Sequence, residues 1–356
     1  MPVTLAMAQV NARDDISHEV IDNLRRYSWL WDQVVFDDAA TPGGGGGTLI
    51  YGYTRLKAAR GANFRAFNTE YPAAAAEREQ FTVSLKPFGG AFSIDRNLRN
   101  LGPAAQNEMV FQTQQLITGS TIAWQNEIIH GDTAVNALGF DGLDKSLTGT
   151  DTEYLPSANG VSSGHLDWRG SVVNTQALAM AQLDTLDDWL SRIVPSTTGG
   201  GDQGQPGALP PGRKAILGNT KSITRLKALA RWAGMYTAQK DELGRHVEMY
   251  GQWVLVDLGD TVTGAGPIIP IESRDTDGSG GSGALDGMTD LYAVSFGMDA
   301  FHGVSMASTP LVQFYAPDWS TPGAVKSGEL EIGPAAVVLK NTRACGVLRN
   351  VRVAGS

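Results

Sequence analysis

A mixed α+β fold is predicted for this chain by three observations. Apolar residues recur at helical spacing in a few long segments of the first two thirds. Bulky apolar and polar residues alternate through most of the last third. No internal repeat runs through the 356 residues, which rules out a solenoid or propeller.

Taken in order, Asp14–Phe36 places Ile16, Val20, Leu24, Tyr27 and Trp31 at spacings of three and four, an amphipathic helix with acidic residues in its first turn. Little of the preceding chain offers that apolar face a dock. TPGGGGG (Thr41–Gly47) follows as a hinge, because a phosphate-binding loop would need a Lys-Ser/Thr and a helix after it. TLIYGYTRL (Thr48–Leu56) and EQFTVSLKPF (Glu79–Phe88) alternate as two long strands. Between them lie 22 residues, far more than a hairpin loop of about two to five. Arg55, Lys57, Arg60 and Arg65 fall in an eleven-residue run without an acidic residue, making the connection locally basic.

The clearest helix covers Pro103–His130: proline suits its first turn and Gly131 its end. Met109, Val110, Leu116, Ile117, Trp124 and Ile128 form a stripe, and the opposite face is Gln, Thr, Ser and Asn. With Glu108 and Glu127 its only charges before Ile129, this beam of roughly 40 Å is poorly suited to face open water. After it, GFDGL (Gly139–Leu143) reads as a glycine turn around a buried Phe140 and Leu143. His165–Val194 carries a second amphipathic helix, Pro195–Gly212 a turn-rich loop, Lys214–Leu217 a short strand, and TKSITRLKALARWAG a third helix capped by Thr220. Strands are expected at His246–Leu258, Asp290–Gly297, Val312–Tyr315, Glu329–Ile332 and from Pro334 onward.

Composition narrows the function. Charged residues make up 18% of the chain and glycine numbers 43, against typical shares of about 25% charged and about 7% glycine. Much of the surface is therefore uncharged or covered by partners. A net charge of −9 argues against a nucleic-acid-binding module, though not against lining a DNA container. No apolar run spans a bilayer, and the N-terminus lacks a signal-peptide pattern, so synthesis in the cytosol is expected. Cys345 stands alone, in a strand context that predicts a buried thiol.

Catalytic and metal patterns are incomplete. None of the five histidines has a second ligand at metal spacing. GVSMA (Gly303–Ala307) falls one residue short of a nucleophile elbow at Ser305. Asp275, Asp277 and Ser279 match part of a calcium loop, but Asp286 stands where a bidentate glutamate is needed and flanking helices are missing, so this is only a weak calcium candidate. No cofactor and no catalytic residue are expected.

The order of these features resembles the major capsid proteins of tailed bacteriophages, the Hong Kong 97 type: an arm helix, a long basic-tipped hairpin, a weakly charged spine helix, then NALGFDGL (Asn136–Leu143). GRHVEMYGQWVLVD (Gly244–Asp257) is similar to the family's Y-G-x-P-I-V strand, with Trp253 where proline is common, and DLYAVSFGMDAFHGV (Asp290–Val304) to its I-Y-x-V-x-F-G…G-V strand. The resemblance implies an N-terminal arm at 1–41, an extended loop over a neighbouring subunit at 42–92, a peripheral domain at 93–164 with the spine helix, an axial domain at 165–300, and C-terminal strands at 301–356 completing both sheets. It implies self-assembly as hexamers and pentamers into an icosahedral virion shell around double-stranded DNA, assembled in the bacterial cytoplasm with separate scaffolding, portal and decoration proteins. The arm is too short for the cleavable scaffolding segment of some members, so scaffolding is expected from a separate protein or to be dispensable. Inter-subunit contacts are expected at Trp29 and Trp31 and at Arg55, Lys57, Arg60 and Arg65. Lys57 lies where some members form a covalent cross-link, but none is expected here. An encapsulin-like compartment shares the implied fold, and a soluble hydrolase is the alternative of another class.

Overall fold

The computed structural model describes residues 29–40, 46–58, 60–71, 73, 75–97, 103–193, 213–234, 237–240, 246–275 and 284–355, with backbone alone at 103–108, 237–240 and 246–247. A short helix α1 (Leu30–Gln33) leads into β1 (Phe36–Ala39), then β2 (Ile50–Ala58), β3 (Glu77–Ser84) and β4 (Lys86–Asp95). The long helix α2 (Pro103–His130) and the short α3 (Leu143–Leu147) follow, then β5 (Glu153–Tyr154), β6 (Leu166–Asp167), α4 (Gln176–Ser191), β7 (Lys214–Gly218) and α5 (Thr220–Trp232). The remainder is β8 (Thr237–Lys240), β9 (His246–Tyr250), β10 (Trp253–Asp257), β11 (Glu272–Arg274), β12 (Leu285–Ser295), β13 (Phe301–Met306), β14 (Val312–Tyr315), β15 (Val325–Leu339) and β16 (Cys345–Arg352).

Among the described residues these strands form a nine-stranded sheet in the order β5-β16-β12-β7-β10-β9-β8, with β11 beside β12 and β6 beside β16; a five-stranded sheet in the order β1-β13-β15-β14, with β4 on β15; and the β2–β3 hairpin. The central strands of the large sheet are buried on both faces. Leu217, Tyr292, Val294 and Val347 pack into a core shared with α2, and Ile216, Leu291, Ala293 and Leu348 into a second core under α4 and α5. That double burial explains near-continuous apolar runs in which parallel and antiparallel partners both lie.

The long helix keeps its expected bounds because a side chain at Gly131 would meet the Phe140 carbonyl at 2.4 Å, and Gly142 N–H closes back onto Gly131 O at 2.8 Å. Phe140 and Leu143 are buried by this turn, as expected from its glycines. β15 is a single strand, not two. Its residues Val325–Ile332 pair with β4, and Ala335–Leu339 turn to β13 after a bend at Gly333, whose φ is +101°.

Several expectations are corrected. The arm helix does not continue to Phe36: its described part ends at Gln33, because Phe36–Ala39 gains a parallel pairing with β13. Residues 14–28 lie outside the described residues. The arm does have a local dock, since the Gln125 side chain accepts from Leu30 N–H at 3.1 Å and donates to Leu258 O at 2.9 Å, stitching α1 to α2 and to the end of β10. His246–Leu258 is a hairpin and not one strand. Tyr250 pairs with Trp253 around Gly251, whose φ of +58° only glycine adopts cheaply. The cap of α5 is Asn219, whose side chain accepts from Ser222 N–H at 2.9 Å while Ser222 Oγ accepts from Asn219 N–H at 3.0 Å. The second amphipathic helix begins at Gln176, since Leu166–Asp167 is taken by pairing with β16.

Candidate assembly surfaces

Strand alternation turns one side of β2 toward the body. Tyr51, Tyr53 and Arg55 face inward, and their cross-strand partners are Val83, Phe81 and Glu79. Tyr53 stacks on Phe81 with centroids 5.6 Å apart, and the Arg55 guanidinium lies 4.4 Å from the Phe81 centroid. Arg55 Nε donates to Lys340 O at 2.9 Å and its Nη2 to Leu339 O, so the hairpin root is clamped to the end of β15. Tyr51 OH donates to Asp37 at 2.9 Å, and the Lys340 ammonium sits 5.4 Å from the Tyr51 ring. Burial raises the phenol pKa of both tyrosines above their ordinary value. A cleft of about 430 Å³ separates this root from the turn after α2, lined by Tyr53, Arg55, Phe81, Phe140, Asp141 and Leu339 among others.

Beneath the root lies His302, fully buried, with no hydrogen-bond partner on either ring nitrogen among the described residues. Its ring meets Tyr51 edge-on at 6.1 Å. Burial pushes the imidazole down to about 4, with Lys340 acting in the same direction.

The tip is different. Every residue from Arg60 to Tyr71 is exposed, with Phe64 at 105% and Phe67 at 96%. Arg65 clasps the loop from within, donating to Thr69 O at 3.1 Å and lying 5.1 Å from the Tyr71 centroid. Lys57 stands 3.8 Å from Glu77 in an exposed pair. The locally basic run is thus partly balanced by its returning strand: from Arg55 to Glu79 there are five basic and three acidic residues. Of the four basic residues, Arg55 is engaged within the chain, and Arg60 and Arg65 remain on the exposed loop.

Trp29 and Trp31 pack within the chain. Trp29 meets Phe296 at 5.8 Å, with the Arg213 guanidinium 5.8 Å from its ring, and Trp31 lies against Phe36 and Trp124. Outward-facing apolar side chains lie instead on α2 at Val110, 51% exposed, and Ile117, 45% exposed, and along β14 at Val312, Phe314 and Tyr315.

A charge network that the sequence reading missed joins the large sheet to the turn. Arg349 donates to Glu153 at 2.9 Å, to Asp290 at 3.2 Å and to Asp144, which also accepts from Tyr292 OH at 2.9 Å. Arg274 reaches the other Asp290 oxygen at 2.7 Å. Asp132 and Asp141 both hold Lys145, so the acidic residues of the turn are ion-paired; the hydrogen bond from Lys145 lowers the Asp132 pKa.

Ser305 is the penultimate residue of β13, paired with Asp38 and Ala335 on either side, which is no strand-to-helix elbow. Asp277 and Ser279 lie outside the described residues, Asp275 ends the segment before them, and Asp286 lies at the start of β12. Among the described residues no group of three or more His, Cys, Asp or Glu is placed to hold a metal ion. Cys345 is buried, with its thiol pushed up to about 12 by desolvation. No helix among the described residues is long and apolar enough to cross a membrane.

No family model matches the sequence, and no curated protein is detectably similar to it. Solved structures are. The holo-SrpI encapsulin complex from Synechococcus elongatus PCC 7942 matches with a TM-score of 0.57 at 13% identity, over 100% of this chain and 98% of that one. The capsid of a native GTA particle matches at 0.55 and 10% identity, over 95% of each chain. The capsid of Myoviridae phage XM1 matches at 0.50 and 14% identity, over 98% of this chain and 99% of that one. At such identities the likeness establishes a fold held in common, end to end.

Proposed function

We propose that this chain, which has the Hong Kong 97-type capsid fold, is the major capsid protein of a tailed bacteriophage, a structural subunit and not an enzyme. The observation that carries this reading is the end-to-end match with shell subunits, which covers 95% of the given chain in one case and 98% in another. Physical features support it. The β2–β3 hairpin, Val110 and Ile117 of α2 and the aromatic β14 edge all present apolar groups that the described residues of one copy leave uncovered.

In this reading residues 1–41 are the arm, 42–92 the extended loop, 93–164 the peripheral domain, 165–300 the axial domain and 301–356 the strands that complete both sheets. Copies gather as hexamers and pentamers into an icosahedral shell in the bacterial cytoplasm, with separate scaffolding, portal and decoration proteins, and end in the virion. Double-stranded DNA meets the inner face without sequence specificity, consistent with a net charge of −9. Lys57 forms no covalent cross-link; a ladder of multimers on a denaturing gel would contradict that.

The match with SrpI supports a second reading, an encapsulin-like shell with protein cargo. Electron microscopy of the purified protein, together with nucleic-acid content, tests both. Closed shells that package DNA when made with their phage partners bear out the capsid reading. Shells that hold protein and no nucleic acid favour the compartment, and a stable monomer at high concentration, with or without scaffold, defeats both.

A further inference from the structure

We infer that His302 is a proton-sensitive latch beneath the root of the β2–β3 hairpin: neutral, it lets the root close on the body, and charged, it opens the root by drawing Asp37 off Tyr51 and repelling Lys340. The device belongs to the single chain and acts whether or not copies assemble. The root is a joint made of side chains. β2 and β3 pair with each other and with neither larger sheet, so no backbone ladder fastens β2 to the body. Three side chains of its inward face tie it down instead: Tyr51 to Asp37 at 2.9 Å, Tyr53 to Leu339 O at 3.5 Å, and Arg55 to the Leu339 and Lys340 carbonyls.

His302 lies under the first of these ties. From β13 its ring meets Tyr51 of β2, and the charged groups acting on it come from three other places: Asp37 of β1, Asp299 in the turn before β13, and Lys340 just after β15. Neither ring nitrogen has a hydrogen-bond partner among the described residues. An enclosed polar ring left so costs stability that an apolar ring of the same shape would not. What histidine adds at this position is the ability to take a proton.

A charged ring cannot stay there unpaired, because an enclosed charge needs a counter-charge and hydrogen-bond acceptors. Of the two carboxylates Asp37 acts on the ring more strongly, yet its oxygens already accept from Tyr51 OH and Asp38 N–H. Turning Asp37 to the ring breaks the Tyr51 tie. Lys340 is repelled at the same time, and this is the residue whose carbonyl holds Arg55 and whose ammonium stands over Tyr51. One proton thus acts on two of the three ties. Burial and Lys340 keep the enclosed ring neutral down to about pH 4, whereas a ring in water takes its proton at about 6.5. The closed root is therefore fully favoured above that window, and opening becomes about twentyfold easier from pH 7 to pH 5.

Thiol access under the root tests the latch. Val338 lies opposite His302 in the β13–β15 ladder and is buried, so a cysteine on that shared face is reached only when the root lifts. Val338→Cys protein is treated with 4,4′-dithiodipyridine, a disulfide reagent that works in acid, and its rate at each pH is divided by that of free glutathione. The parent chain, with buried Cys345 alone, is the blank. The normalised rate should rise about twentyfold from pH 7 to pH 5 with His302 in place and less than about twofold with His302→Phe. A flat profile with His302 present, readable even where the Phe variant does not fold, would overturn the latch. An equal rise in the Phe variant would overturn it as well. Val351→Cys, in the core under α4 and α5, should stay unreactive over the same range. If that thiol accelerates in step with the one at 338, acid loosens the whole chain and no latch operates at the root.

Discussion

Two loops of similar length meet opposite fates in this molecule. The turn after α2, from Gly131 to Leu143, folds its aromatic inward: Phe140 is 3% exposed and its ring lies 4.8 Å from Trp124. The hairpin tip, from Arg60 to Tyr71, has aromatics of the same kind wholly in solvent. Both are ordered by internal hydrogen bonds, Gly142 to Gly131 in the first and Arg65 to Thr69 in the second. What separates them is close backbone approach. Gly131 and Gly142 let the turn press against the last residues of α2, where any side chain would collide with carbonyl oxygens under 3 Å away. The tip has no such return path, and Phe64 and Phe67 stay in solvent.

The contrast breaks most easily at Phe140. Phe140→Ala should cost about 3–5 kcal/mol, read as a large fall in thermal midpoint. Phe64→Ala with Phe67→Ala should leave the unassembled chain within about 0.5 kcal/mol while impairing assembly. Equal loss of stability in the two variants would mean that the tip packs on its own body after all.

Arg349 sharpens the same contrast on the buried side. Arg349→Met takes from the nearly buried Glu153 its ion pair and leaves Asp290 to Arg274, and should cost about 3 kcal/mol in denaturant unfolding. A change below about 1 kcal/mol, as for an exposed pair, would show the network to be dispensable.

A smaller effect is expected at His302, under the hairpin root. Its folded pKa of about 4 lies below the ordinary 6.5, so the unfolded chain takes up a proton between these values that the folded chain refuses. The stability this neutral histidine allows is complete above about pH 6.5 and falls as pH drops toward 4. The groups facing it are Tyr51, Lys340, Asp37 and Asp299. His302→Phe should remove this part of the pH dependence, so that wild type loses stability relative to the variant as pH falls below about 6.5 and keeps a constant difference above it. A parallel pair of curves would show that His302 does not titrate in this range. The least effect belongs to Lys57→Ala, which loses only the exposed pair with Glu77 and should shift stability by less than about 0.5 kcal/mol.

Local signals carried the fold some distance. Pro103 and Gly131 bound the long helix because terminal proline and glycine act through backbone geometry alone. The glycine turn around Phe140 was legible for the same reason. The β9–β10 hairpin was not, because a two-residue turn at Gly251–Gln252 hides inside an alternating apolar run. Helical spacing around Trp31 suggested helix through Phe36, yet a parallel partner more than 260 residues later decided for strand. At the candidate site, Arg55 shares parity with Tyr51 and Tyr53, which already marks it as inward-facing; the basic run drew attention away from that. Arg349 and its carboxylates are separated by 59 to 205 residues, beyond the reach of any spacing rule.

β15 gives the molecule a mechanical property. One strand, bent at Gly333, carries Glu329 and Glu331 near its middle and, at and just past its end, the Leu339 and Lys340 carbonyls that hold Arg55. A pull at Glu331 therefore reaches the root of the hairpin only through the bend at Gly333. Hydrogen bonds to β4 and β13 on its two halves resist it in shear.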